Sequence, residues 1–227
     1  MSKKHVLRRE FIGMLATGAA AAGIVGVSAA GSPGASASPK FQSPSSSSDF
    51  DAWLGRIKGT HKQVYDAPRV NNAFPLAWSR VFLMTNAAVG VPAGDAMAVV
   101  VIRHDAIPMA MATPLWEKYK FGEMFEVKDA GTKKPQTKNI YYSAPAGTFP
   151  IPGMTIEELM KDGTLFGVCD MALTFYSGVV GKKMKMDPAE VKKEWVAGIM
   201  PGIQIVPSGV LAVNRAQEHG CTYVYAG

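Results

Sequence analysis

The chain has 227 residues, with 24 Lys and Arg against 18 Asp and Glu, a formal charge of +6, and two cysteines. Two cysteines, Cys169 and Cys221, are too few to staple a disulfide scaffold. Residues 1–37 hold four basic residues and one acidic one, which leaves +3 on the remainder, too weak a field to point to nucleic acid or to a polybasic membrane contact.

The chain opens Met1-Ser-Lys-Lys-His-Val-Leu-Arg8-Arg9-Glu10-Phe11-Ile12, and Phe11 to Ala30 then carry no charge and are mostly Ala and Gly. A basic front, an apolar middle and small residues behind it make a secretory signal, with Ala35-Ser36-Ala37 as the small-x-small cleavage site. Two arginines, one further residue and two apolar ones resemble the twin-arginine pattern, which implies export of a folded protein by the twin-arginine machinery to the periplasm. The alternative is a retained membrane anchor, for which the Ala/Gly-rich run is poorly suited. Residues 1–37 are read as the signal, leaving no stable membrane span after cleavage. Residues 38–48 form a Pro/Ser-rich tail too polar to bury, and 49–227 a single domain.

Within that domain the spacing predicts a helix over Phe50 to Lys58, a short strand over His61 to Asp66 and a helix over Asn72 to Val89. Met97-Ala-Val-Val-Val-Ile102 is an unbroken apolar, β-branched run, as expected of a parallel strand covered on both faces. Helical material follows from Ala106 to Phe125, interrupted by Pro108 and Pro114. A Gly/Pro-punctuated insert from Val127 to Gly153 reads as loop, with a short ribbon at Ile140 to Ser143. Thr155, with Glu158 three residues on, starts a capped helix that Gly163 closes. Leu165 to Cys169 is a strand, Asp170 an N-cap, Met171 to Val179 a short helix, Ile203 to Val206 a strand, Ser208 to His219 a helix closed by Gly220, and Cys221 to Tyr225 a last strand. The alternation predicts an α/β fold, a doubly wound and largely parallel sheet of about five strands with helices on both faces.

Function in such sheets gathers beyond the C-terminal strand ends. Three segments belong there: Arg103-His104-Asp105, Cys169-Asp170-Met171 and Pro207-Ser208-Gly209. A thiol at a strand end before a helix can have its thiolate held by backbone N–H groups and the helix dipole, which makes Cys169 a candidate nucleophile or sulfur carrier, although Asp170 works against ionisation. His104 is a candidate proton partner. Asp170, Met171, Pro207, Ser208 and Gly209 are candidate binding residues around it. The plainer alternatives are that Cys169 is a small core residue, that His104 is hydrogen-bonded in a turn, and that Met109, Met111 and Met171 are packing rather than soft ligands beside His104 and Cys169. Cys221 opens the last strand, at the far end of the sheet from Cys169, so no disulfide between the two is expected. Lys133, Lys134 and Lys138, and Lys182, Lys183, Lys185, Lys192 and Lys193, have no aromatics alternating with them and read as solvated faces. No dinucleotide, phosphate-loop, serine-hydrolase or paired-histidine metalloprotease motif is present in the sequence.

The strand ending at His104, the segment Asp162-Gly-Thr-Leu-Phe-Gly-Val-Cys169-Asp-Met-Ala-Leu173, Met200-Pro-Gly-Ile-Gln-Ile-Val-Pro-Ser-Gly209-Val and Ala216-Gln-Glu-His-Gly-Cys-Thr-Tyr-Val together resemble the DsrE/DsrF-like family, in particular its exported members. The resemblance runs from about His61 to Tyr225. It implies a doubly wound sheet, a tendency to form homo- or hetero-oligomers, and persulfide sulfur relayed on a cysteine, at whose position Cys169 falls. The expectation is therefore a periplasmic sulfur carrier, homo-oligomeric, exchanging sulfur with a donor or acceptor protein, with Cys169 and His104 as its reactive residues and neither cofactor, metal nor nucleic acid implied. A non-catalytic binding or assembly subunit, and a metal- or haem-ligand protein using His104, Cys169 and Met109 or Met171, are the rivals.

Overall fold

The computed structural model describes residues 46–227; the expected signal and most of the expected tail lie outside them. Five strands, β1 (His61–Ala67), β2 (Ala96–Ile102), β3 (Leu165–Cys169), β4 (Ile203–Val206) and β5 (Thr222–Tyr225), form one sheet in the order β4-β3-β2-β1-β5. Every pairing is parallel, with Ala67 level with Ile102, Ile102 with Val168, and Cys169 with Val206. The α/β fold expected from the sequence is the fold of the protein.

The reason β2 reads as one apolar run lies in its two faces. Ala98, Val100 and Ile102 point into one core and Val99 and Val101 into the other, and none of the five is exposed. At roughly 1.5–3 kcal/mol for each fully buried large aliphatic side chain, this central strand anchors the domain. The helices α1 (Ser47–Leu54) and α8 (Gly209–Glu218) cover the Val99/Val101 face, with Phe50, Trp53, Leu54, Ala212, Val213 and Ala216 buried there. The opposite face carries α2 (Phe74–Ala88), α5 (Ile156–Lys161), α6 (Asp170–Met184) and α7 (Pro188–Ala197). Among the described residues no helix is long and apolar enough to cross a membrane.

Several expected boundaries move, each for a local reason. α1 starts at Ser47 because Ser46 caps it, accepting from the Asp49 N–H at 3.1 Å. The expected helix at Asn72 begins instead at Phe74, since Asn71, Asn72 and Ala73 all have positive φ. Pro108 and Pro114 break the Ala106 to Phe125 stretch into a 3-10 segment (His104–Ala110) and two short helices, α3 (Thr113–Lys118) and α4 (Phe121–Met124). The ribbon expected at Ile140 to Ser143 does not form. Asn139 pins that insert instead, donating to the carbonyls of Met109 and Met111 at 2.9 and 2.7 Å and accepting from the N–H groups of Tyr141 and Tyr142.

Thr155 and Glu158 make the expected reciprocal cap of α5. The next helix runs on to Met184 rather than ending near Val179. Gly181 is compatible with this because a Cβ there would lie 3.0 Å from the Met186 carbonyl and from Pro188, so the glycine lets the α6–α7 turn fold back tightly. Helix α7 is not among the elements expected from the sequence. Its signal was present: Asp187 accepts from the Ala189 N–H as an N-cap, Pro188 follows at the first position, and Val191 and Trp195, four apart, are its buried face.

Candidate functional site

Because β2, β3 and β4 are neighbours, the three strand-end segments singled out from the sequence stand side by side. The connection after β3 goes to α6 on one face and that after β4 to α8 on the other, so the crevice between these strand ends is where a doubly wound sheet opens. Cys169 lies on one side of it and Pro207-Ser208-Gly209 on the other.

Asp170 is not the N-cap of α6. Cys169 holds that place, its Sγ accepting from the Ala172 N–H at 3.3 Å, and Asp170 is the first residue of the helix. The N–H groups of Met171 and of Gly209 also lie near the sulfur and favour its thiolate, although only the Ala172 contact has hydrogen-bond geometry, so that the N-termini of α6 and α8 both approach this atom, from opposite faces of the sheet. Ser208 caps α8 by accepting from the Leu211 N–H at 3.2 Å. The thiol is nonetheless only 6% exposed. Burial pushes it above the ordinary thiol range, the three N–H groups pull it down, and the Asp170 carboxylate adds to the rise; the net shift is upward.

Gly209 also touches Arg103. A Cβ at Gly209 would lie 2.6 Å from the Arg103 Cβ and 2.7 Å from its Cδ, so only a glycine brings the start of α8 this close to both the arginine stem and the sulfur. Arg103, the residue after β2, clasps Asp66 at the end of β1 with two hydrogen bonds of 2.5 and 2.8 Å, and the Tyr223 hydroxyl donates to the same carboxylate at 2.9 Å. The Asp66 hydrogen bonds raise the Arg103 pKa, burial lowers it, and a thiolate at Cys169 would raise it further, which places the guanidinium within electrostatic reach of the sulfur. Arg103, Asp66 and Tyr223 were not among the expected site residues. A buried-strand aspartate and a strand-end arginine are legible in sequence, but their pairing across β1 and β2 is not.

Asp170 is fully buried. Lys192 of α7 stands 2.9 Å from its Oδ1 and 3.1 Å from its Oδ2, although only the second contact has hydrogen-bond geometry. One lysine of the basic run is thereby tied to the site rather than to solvent. Burial raises the Asp170 carboxyl pKa and Lys192 lowers it, with a net rise. Met171 is 39% exposed at the crevice, whereas Met109 and Met111 are wholly buried core residues.

No protein-family model and no curated protein matches the chain.

His104 has a φ of 51°, a left-handed conformation in which histidine is among the less disfavoured side chains. Its Nδ1 lies 2.9 Å from Asp105 Oδ1 and 3.0 Å from the Tyr176 hydroxyl, and Tyr176 donates to that same Asp105 oxygen. Burial would raise the Asp105 carboxyl, but the hydrogen bonds from His104 and Tyr176 outweigh it and hold it below the usual carboxylate range. Among the described residues there is no group of three or more His, Cys, Asp or Glu side chains placed to hold a metal ion. Cys221, at the opposite end of the sheet, is a buried free thiol pushed up to about 11 by burial, and Cys169 is likewise free.

Proposed function

We propose that the chain is an exported carrier of sulfane sulfur, in which Cys169 accepts the sulfur atom and His104 assists with the proton, acting in the periplasm with a donor or acceptor protein after twin-arginine export. One observation carries the reading: the Ala172 N–H donates to the Cys169 sulfur at 3.3 Å, and the N–H groups of Met171 and, from a second helix, Gly209 lie near enough to favour its thiolate. Such an arrangement stabilises an anion at that atom, whether thiolate or terminal persulfide. The likeness of the segments around Cys169 and Gly209 to the DsrE/DsrF-like pattern supports the same reading.

The test is intact-mass spectrometry of reduced, folded mature protein after incubation with inorganic polysulfide. The expected outcome is a reductant-labile gain of one sulfur atom in the wild type and none in Cys169→Ser. Wild-type protein that gains nothing sinks the proposal.

A second reading, assembly through a second copy of the chain, is favoured by α2. Phe74, Trp78, Val81 and Met84 are 44%, 38%, 42% and 46% exposed, and Phe74 and Trp78 pack ring against ring at 5.5 Å. The only charged residue of α2, Arg80, turns away to Asp162 and to the Pro152 carbonyl. This uncharged stripe is apolar surface of a kind that self-association buries. Sedimentation velocity is expected to show an oligomer that Trp78→Glu converts to monomer; identical profiles for the two proteins would remove α2 from any interface.

A further inference from the structure

The Arg103 guanidinium is held along one edge and open along the other. Nε and Nη2 donate to the two oxygens of Asp66, and Tyr223 donates to the second of these, so the fork is fixed at the C-terminal ends of β1 and β2. A guanidinium keeps its charge and carries further N–H donors that this clasp does not use. Nη1 has no hydrogen-bond partner among the described residues, and with the side chain 24% exposed it reaches solvent rather than lying buried and unsatisfied. The neighbouring strand-end carboxylates do not occupy it: Asp105 accepts from Tyr176, and Asp170 is paired with Lys192.

Two features put this open edge beside the thiol. Arg103 and Cys169 directly follow Ile102 and Val168, which are partners in the β2–β3 register. Both also meet Gly209: a Cβ there would lie within 2.6 Å of the Arg103 stem, and the Gly209 N–H lies near the Cys169 sulfur.

We infer that Arg103 is the specificity-determining residue of the site: its free Nη1 edge holds the anionic far end of the sulfur donor while Cys169 attacks the near end, which selects anionic sulfane-sulfur compounds over neutral ones. The inference rests on the sulfur-carrier reading. In the step itself the thiol gives up its proton and the thiolate sulfur attacks the terminal sulfur of a polysulfide dianion. One S–S bond forms and one breaks. The shortened polysulfide leaves with the electron pair and takes up the proton, and Cys169 keeps a persulfide anion; no outside oxidant or reductant is needed. A thiolate and a dianion repel each other, and a fixed cation at the leaving end offsets that repulsion.

The experiment compares two reagents of similar size, neutral iodoacetamide and anionic iodoacetate, on mature protein carrying Cys221→Ala. Both alkylate the same thiolate, so the ratio of their rates cancels the ionisation and burial of the thiol and reads its preference for charge. Asp66→Leu/Arg103→Met removes the cation together with its counter-charge, leaving the net charge of the site unchanged. In that variant the iodoacetate-to-iodoacetamide ratio is expected to fall about tenfold, the scale of one charge-assisted hydrogen bond, and the initial rate of persulfide formation with inorganic polysulfide to fall with it. Arg103→Met alone, which leaves the Asp66 charge behind, is expected to lower the ratio further, and it decides the matter if the double variant does not fold. A ratio or a polysulfide rate equal to that of the wild-type site overturns the role of Arg103 and leaves the carrier reading standing. Wild-type protein that gains no sulfur overturns the carrier reading and the inference with it.

Discussion

Replacing Arg103 with methionine is expected to destabilise the domain by about 3 kcal/mol, a fall of roughly 6–12 °C in melting temperature for a chain of this size. Asp66 is 4% exposed, and Arg103 supplies two of the side-chain hydrogen bonds to its carboxylate. Methionine keeps most of the stem that packs on Gly209 but leaves the buried carboxylate with Tyr223 as its remaining side-chain donor. The cost is that of an uncompensated buried charge rather than the net worth of the ion pair. The double replacement Asp66→Leu/Arg103→Met, which removes both charges, is therefore expected to melt well above Arg103→Met alone. Thermal unfolding followed by circular dichroism decides between them; an Arg103→Met protein that melts with the wild type would show that water has already reached Asp66.

At neutral pH, Cys169 in the folded protein is expected to react with iodoacetamide far more slowly than free cysteine. Its rate should keep climbing past the pH of about 8.5 at which a free thiol is half ionised. The sign follows from burial: the neutral thiol is favoured over the thiolate, so its ionisation moves to higher pH despite the three N–H groups on the sulfur. Low exposure slows the reagent at every pH, whereas the displaced midpoint changes the shape of the profile, and the two effects separate in a rate–pH curve. The curve must be taken on protein with Cys221 replaced by Ala, since that thiol is also raised. A midpoint at or below 8.5 would mean that the N–H groups outweigh burial and that the thiolate forms without a base.

Much of this architecture was legible along the chain. The apolar run of β2, the Thr155/Glu158 cap, the glycines at 163 and 220 and the strand–helix alternation are local patterns. Each expresses an intrinsic conformational preference or a burial period that needs no partner to be recognised. Even the neighbourhood of the site followed, because parallel alternation puts all strand C-termini at one edge. Helix α7 was decided locally too, by its Asp-Pro start, whereas the ribbon expected at Ile140 to Ser143 gives way to the four side-chain hydrogen bonds of Asn139, two of which reach back about 30 residues to Met109 and Met111 and carry no periodic signal.

The α/β class, the strand positions and the residues at the strand ends follow from hydrophobic period and turn chemistry, which are written along the chain. The state of the site is settled by packing. That the cysteine rather than the aspartate caps α6, that α8 brings the Gly209 N–H to the same sulfur, that Arg103 turns to Asp66, and that Asp105 and Tyr176 hold His104 are all outcomes of packing. They set the charge of the thiol through burial and distance, and neither quantity exists until separate segments of the chain have met.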